Sequence, residues 1–397
     1  MADTAILSPP ASVPSLRVLP PLSLYLHIPW CVRKCPYCDF NSHEKQDSMP
    51  EAEYCAALLR DLEISLPLVW GRRIHSIFIG GGTPSLFSAA SIGGILSGVR
   101  ALLPLAADCE ITLEANPGTF EAEKFGAFRD AGVTRLSIGI QSFNPRHLKA
   151  LGRVHDDHEA RRAIESAQHA FDNINLDLMY ALPGQSLEEA LQDAQEAISC
   201  NTAHLSFYHL TIEPDTVFHR RPPVIPDADA AAEIEESVHR ELANAGFDQY
   251  ETSAFARAGR RCRHNLNYWE FGDYLGLGAG AHSKLSFPDR ILRQARTKQP
   301  REYLKRVSLG TPVLEERRLQ RPDAVFEFMM NALRLSDGFP VSLFQERTGL
   351  SISAAAKGLS SAEERGLIVR DHKTIRPSAL GRRFLNDLLE IFLPDSG

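Results

Sequence analysis

Residues 23–42 read SLYLHIPWCVRKCPYCDFNS. The run 22–28 has the length and apolar content of a β-strand, and Cys31, Cys35 and Cys38 follow it at C-x3-C-x2-C spacing. Structural zinc calls for four closed ligands, commonly two separated C-x2-C pairs, and no second pair is present. An ordinary cubane cluster takes four thiolates. Three thiolates therefore point to a [4Fe–4S] cluster with one open iron. That iron can accept the amino and carboxylate groups of S-adenosylmethionine and place its sulfonium beside a reducing centre.

The rest of the chain sets the context for this loop. At 397 residues and 44% hydrophobic content it can bury a large core, and its length suggests two or three domains. A net charge of -7 argues against nucleic acid as a partner. No apolar run is long enough to span a bilayer. Of the seven cysteines, three cluster at 31–38, and Cys55, Cys109, Cys200 and Cys262 are scattered. An odd, clustered set reads as a metal site in the reducing cytoplasm rather than a secreted disulfide framework. Residues 1–20, rich in Pro, Ser and Ala, read as a disordered leader.

Candidate strands at 22–28, 74–79, 110–114, 135–140, 175–179 and 204–210 carry few charges, as strands buried on both faces should. Helix-length segments separate them. Ser48 with Glu51, and Ser186 with Glu189, have capping-box spacing. The alternation argues an α/β fold with a parallel sheet, either a barrel or a doubly wound layer. Arg220–Arg221–Pro222–Pro223 marks a boundary, and a helix is expected at 229–245. A Gly-, Arg- and aromatic-rich stretch follows at 255–283. Beyond Pro322 the pattern is helical and ends like a winged helix, with helices at 343–350 and 354–365 and strands at 367–369 and 374–375. The acidic balance disfavours DNA for that end, so covering a barrel mouth or docking a partner is the expectation.

The cluster motif and its flanks resemble the radical S-adenosylmethionine superfamily. Within it, residues 23–42, GGGTP at 80–84, EANPG at 114–118, SIGIQSF at 137–143, LDLMYALPGQ at 176–185 and HNLNYW at 264–269 are similar to the HemN family of oxygen-independent coproporphyrinogen III oxidases and the related HemW heme chaperones. The resemblance implies a partial parallel (β/α)6 barrel with a mostly helical, winged-helix-like C-terminal domain. It implies a core at 21–225, a connecting segment with HNLNYW at 226–315, and a HemN-type domain at 316–397. It assigns the cluster to Cys31, Cys35 and Cys38. S-adenosylmethionine falls to Tyr25, Tyr37, Gly81, Gly82, Thr83, Glu114, Gln141, Arg153 and Asp177. From the residues alone, GGGT lacks both the GxGxxG spacing and the P-loop lysine, so phosphate is disfavoured. Glu114, Gln141 and Asp177 are each expected at the C-terminal end of a strand, the rim where parallel barrels hold ligands. One departure is Ala181, where the family usually has Gly.

The oxidases continue their motif with a fourth cysteine, where this chain has Phe40, and carry a longer N-terminal extension. Both differences favour the chaperone branch over porphyrinogen decarboxylation, which is the alternative. In that branch heme is the cargo. Iron needs an axial imidazole, thiolate or phenolate, and His264, Cys262 and Tyr268 are candidates, with Trp269 against the macrocycle. Arg260, Arg261 and Arg263 suit its propionates. His282 reads as structural. The resemblance further implies recipient hemoproteins such as respiratory enzymes, a homodimer, and peripheral contact with membrane-bound respiratory complexes.

Overall fold

The computed structural model describes residues 16–45, 49–118 and 122–394. Among the described residues, twelve strands form one sheet. In chain order they are β1 Leu22–Ile28, β2 Ile74–Gly81, β3 Leu105–Ala115, β4 Arg135–Gln141, β5 Ile174–Tyr180, β6 His204–His209, β7 Asp248–Gln249, β8 Ala254–Ala256, β9 Asp273–Leu277, β10 His282–Phe287, β11 Arg290–Arg296 and β12 Val313–Arg318. Their order across the sheet is β12-β11-β10-β9-β1-β2-β3-β4-β5-β6-β8-β7. From β9 through β6 every pairing is parallel, so the six expected strands gain a seventh beside β1. The barrel stays open, and antiparallel strands continue both edges.

The parallel strands are buried on both faces, as expected, but the two faces differ in polarity. Leu26, Ile28, Ile79, Leu113, Ile138 and Leu176 enter the main apolar core, which the flanking helices share. The alternate positions are polar and equally buried, among them Ser23, Ser76, Glu110, Arg135, Asn175 and His204. A period of two in side-chain direction makes this possible. Part of the polar face is satisfied internally: His204 Nδ1 lies 2.6 Å from Asn175 Oδ1, His204 Nε2 lies 2.9 Å from the Tyr250 hydroxyl, and Asn175 Nδ2 donates to Ser137 Oγ at 2.8 Å, whereas Arg135 Nε and Thr112 Oγ1 have no hydrogen-bond partner among the described residues.

The helix Arg263–Trp269, which contains HNLNYW, packs against β1, β2 and β9. Glu110 Oε1 accepts from the backbone of Arg263 at 3.0 Å and of His264 at 3.3 Å, supplying the acceptor that helix N-terminal amides need. Asn267 Nδ2 donates to Asp273 O at 2.8 Å, and a Cβ on Gly272 would stand 1.9 Å from Asn267 Oδ1, so only glycine admits this turn.

Residues 273–318, most of which fall in the connecting segment expected at 226–315, supply β9–β12 of the main sheet. The leader expectation divides. Residues 1–15 lie outside the described residues, while Leu16 is buried with Phe271 and Ile291 and donates its N–H to Pro288 O at 3.0 Å. Ser186 and Glu189 form the expected capping box. Ser48 lies outside the described residues; the helix there starts at Glu51 after Pro50, and Glu51 accepts instead from Ser88 N and Oγ.

After Pro322 the helical pattern holds, with helices Arg321–Ala332, Val341–Thr348 and Ala356–Glu364. A small sheet orders Phe339–Pro340, Thr374–Pro377 and Ile368–Arg370, the wing of the expected shape. Phe328 anchors this second core, with Phe339 and Phe344 edge-on at 5.0 Å. Among the described residues no helix is long and apolar enough to cross a membrane.

Glu251 lies at the seam between the two cores, bridged to Leu335. Burial pushes its carboxyl up to about 7, against the Ser253 N–H and the Arg334 charge, which favour ionisation. A raised carboxyl contributes stability that is whole below the unfolded value near 4.5 and is lost as pH rises through 7. Glu251→Gln is expected to match wild type at pH 4 and to exceed it by about 3 kcal/mol at pH 8. Urea midpoints measured across that range check it.

Candidate functional site

Two cavities open where the parallel strands end, and they share a wall. The smaller, about 380 Å³, is lined by all three motif cysteines. The larger, about 720 Å³, lies toward β9–β11. Cys38, Asp39, Phe40, Gly81 and Glu114 face both. Both volumes suit a bound small molecule or cofactor.

The three cysteines ring a space rather than converge on a point. No three Cys, His, Asp or Glu among the described residues are close enough to grip a single ion. Groups suited to thiolates reach the sulfurs: Arg153 Nη1 stands 3.6 Å from Cys35 Sγ, and Ser42 Oγ 3.6 Å from Cys38 Sγ. Burial pushes the Cys31 thiol up to about 11, partly offset by Thr83. These donors and the three cysteines lining one cavity fit a cluster that would be held by three sulfurs.

Most of the expected cofactor residues meet here. Gly81 ends β2, and Gly82 and Thr83 follow it beneath the cluster loop, donating to Ile28 O and Trp30 O. A Cβ on Gly82 would stand 2.5 Å from Trp30 O, and one on Gly81, where φ is +120°, would strike the His27 ring at 2.5 Å. The glycines thus let the strand end pass directly under the loop. Glu114 accepts from Gly81 N at 3.0 Å. Burial, reinforced by Asp177, pushes its carboxyl up to about 8. Gln141 holds φ +69° at the end of β4, a left-handed backbone of the kind stored at ligand sites. Tyr37 lines the same cavity and packs on Phe218.

Arg153 ties the site together, donating from Nη2 to Asn116 Oδ1 and to Gly139 O, both at 2.7 Å. Asn116 in turn donates to Thr83 Oγ1 at 2.9 Å. It was legible within EANPG but not singled out. Ser137, Met179, Tyr208 and Thr211 also line the cavity without having been expected there.

Several placements correct the sequence reading. Asp177 is the fourth residue of β5, not its end, so it sits deeper in the barrel. There it accepts from Ser137 Oγ and Asn175 Nδ2, each at 2.8 Å, and burial raises its carboxyl. Tyr25 lines the larger cavity, not the smaller, with its hydroxyl 2.9 Å from His27 Nδ1. His264 and Cys262 line neither cavity. His264 is 1% exposed, with Nδ1 2.9 Å from Ser76 Oγ and its ring between Phe78 and Tyr268 at 5.0 and 4.8 Å. Burial depresses its imidazole to about 3. Cys262 is fully buried against Glu110, which with burial pushes the thiol up to about 12. Arg263 is also diverted, pairing with Asp108, and Arg261 pairs with Asp337. Tyr268 and Trp269, at the far end of the same helix, do reach the larger cavity. His282, expected to be structural, lines it too.

Ala181 has φ +55° and is buried, which explains why glycine suits the position. A left-handed backbone costs an L-residue about 1–2 kcal/mol, against glycine's greater loss of chain entropy. Ala181→Gly is expected to stabilise the fold by about 0.5–1 kcal/mol, read as a raised thermal midpoint.

The Radical SAM superfamily model matches residues 25–197, and the HemN C-terminal domain model matches residues 319–384. The chain is 50% identical over 379 residues to the heme chaperone HemW of Escherichia coli K12, covering 95% of this chain and 99% of that protein. It is 49% identical over 383 residues to heme chaperone HemW of Haemophilus influenzae, covering 95% and 99%. Among solved structures, coproporphyrinogen III oxidase HemN from Escherichia coli superposes with a TM-score of 0.80 at 24% identity, covering 94% of this chain and 90% of that one. The last likeness concerns the fold alone.

Proposed function

Because this chain belongs to the HemW family within the radical SAM superfamily, we propose that it is a heme chaperone with two adjoining sites. The smaller cavity takes a [4Fe–4S] cluster on Cys31, Cys35 and Cys38 together with S-adenosylmethionine; the larger takes heme, which is passed to recipient hemoproteins. The observation that carries this reading is the shared wall of Cys38–Phe40, Gly81 and Glu114, which keeps two ligands separate but adjacent.

Held by Cys31, Cys35 and Cys38, a reduced cluster would supply an electron for S-adenosylmethionine chemistry. The chain's own residues prepare that site. Gly81–Thr83 leave room at the end of β2 for the methionine end, whose ammonium needs acceptors. Glu114 and Asp177 are two buried carboxyls whose ionised forms a neighbouring cation favours. Arg153 holds the cluster loop against β3 and β4. Tyr37 supplies a flat ring for the adenine. On the other side of the wall, Tyr25, Tyr268, Trp269 and Tyr274 offer aromatic surface to a macrocycle.

Titrating ferric heme into the cluster-reconstituted protein tests the reading. One equivalent should bind with a saturating Soret band, and no stoichiometric binding would remove the heme assignment. Anaerobic incubation with dithionite, S-adenosylmethionine and coproporphyrinogen III is the discriminating control. Protoporphyrinogen formation would reverse the ranking in favour of the oxidase.

A further inference from the structure

The larger cavity contains one imidazole that the protein leaves uncommitted. Heme iron takes imidazole, thiolate or phenolate as axial ligand. The lining residues with such groups are Tyr25, His27, Cys38, Tyr268, Tyr274 and His282. His27 uses both nitrogens, Nδ1 with the Tyr25 hydroxyl and Nε2 with Asn41 O, each at 2.9 Å. That contact also occupies Tyr25. The Tyr274 hydroxyl accepts from Arg293. Burial raises the Tyr268 phenol well above its ordinary value, which opposes the phenolate that iron would need. Cys38 belongs to the cluster set. His282 has no hydrogen-bond partner among the described residues and is exposed to the cavity.

The backbone places His282 deliberately close to the cluster loop. It opens β10 just after the turn containing Gly278 and Gly280, whose φ values are +105° and +78°. A Cβ on Gly278 would stand 2.4 Å from His27 O, and one on Gly280 2.4 Å from Asn41 Nδ2. Asn41 Nδ2 donates to Ala279 O and to Lys298 O, both at 2.9 Å, which fastens the turn to the loop. Lys298 lines the cavity as well, and its ammonium has no ion-pair partner among the described residues.

Resting on the heme reading above, we infer that the His282 imidazole is the axial ligand of the bound heme iron and that Lys298 meets a propionate. The bond forms by donation of the imidazole lone pair to iron, displacing water, with no change of oxidation state. Burial, with Arg293 and Lys298 nearby, lowers the His282 imidazole and keeps that lone pair available at neutral pH.

Ferric heme titrations on the full, reconstituted chain decide the matter. His282→Ala should move the Soret band and weaken binding about tenfold or more, and free imidazole should restore the wild-type spectrum. Lys298→Gln should leave the band in place and weaken binding about threefold. Cluster absorbance and the thermal midpoint of each variant report folding separately. A His282→Ala protein with wild-type spectrum and affinity overturns the ligand assignment and leaves heme binding standing. A wild-type protein that takes up no heme overturns the heme reading, and this inference with it.

Discussion

The Cys35→Ser variant is expected to purify folded but without the visible absorbance and iron of a [4Fe–4S] cluster after anaerobic reconstitution. Cys35 lies on the loop after β1, half-buried, and its sulfur meets the Arg153 guanidinium at 3.6 Å. Removing one of three thiolates leaves two irons of the cubane without protein ligands, so cluster binding is lost rather than weakened. The apo fold should be nearly unaffected, with a stability change within about 0.5 kcal/mol, because the thiol contributes no core packing. Cys109 and Cys200 provide the contrast. Their sulfurs lie against backbone carbonyls, of Glu110 at 3.9 Å and Glu196 at 3.3 Å, far from the loop in sequence. Serine at either should leave iron content and absorbance intact. Iron retention by Cys35→Ser at the wild-type level would refute the ligand set.

Asp61→Ala is expected to destabilise the apo protein by about 3–5 kcal/mol. Asp61 lies on the helix Glu51–Val69 and is fully buried, as is Arg296 on β11. Arg296 Nε donates to Asp61 Oδ2 at 3.2 Å and Nη2 to Oδ1 at 3.1 Å, and the Tyr303 hydroxyl donates to Oδ2 at 3.0 Å. Arg296 also donates to Ser283 Oγ at 2.8 Å and Ser65 Oγ at 3.1 Å. Alanine strands the guanidinium in a dry interior, and that uncompensated charge is the main penalty. Against a typical total stability of about 5–15 kcal/mol this is a large fraction. The double replacement Asp61→Leu with Arg296→Met removes both charges and should lose much less. Urea unfolding followed by circular dichroism measures both; a loss below about 1 kcal/mol for Asp61→Ala would contradict the account.

The elements around the cluster motif were legible because their signals are local. Strand β1 ends just before Cys31, β4 gains only Gln141 over the expected span, and Ser186 caps its helix as its spacing implied. The C-terminal helices and wing follow from periodicity in the same way. What escaped depends on partners distant in sequence. Arg135, Asn175 and His204 sit in short apolar runs, so they read as exceptions rather than as one polar face, which exists only when β4, β5 and β6 align. His264 looks like a metal ligand beside three arginines, yet Ser76 and Phe78, nearly two hundred residues earlier, enclose it. Conversely, His282 carries no motif of its own, and its place in a cavity depends on β10 joining the sheet beside β9. Asp177 was read at the rim, but β5 runs on to Tyr180, three residues past it.

On the proposed reading, a radical SAM scaffold carries heme rather than oxidising a porphyrinogen. Its most direct test is transfer. Protein reconstituted with its cluster and loaded with one equivalent of heme is mixed anaerobically with an apo-hemoprotein of the respiratory type, with S-adenosylmethionine present. The account predicts that the acceptor's Soret spectrum appears, the donor's heme is depleted in step, and the Cys35→Ser variant changes this rate. Heme that stays on the donor, or reaches the acceptor no faster than free heme does, would contradict it.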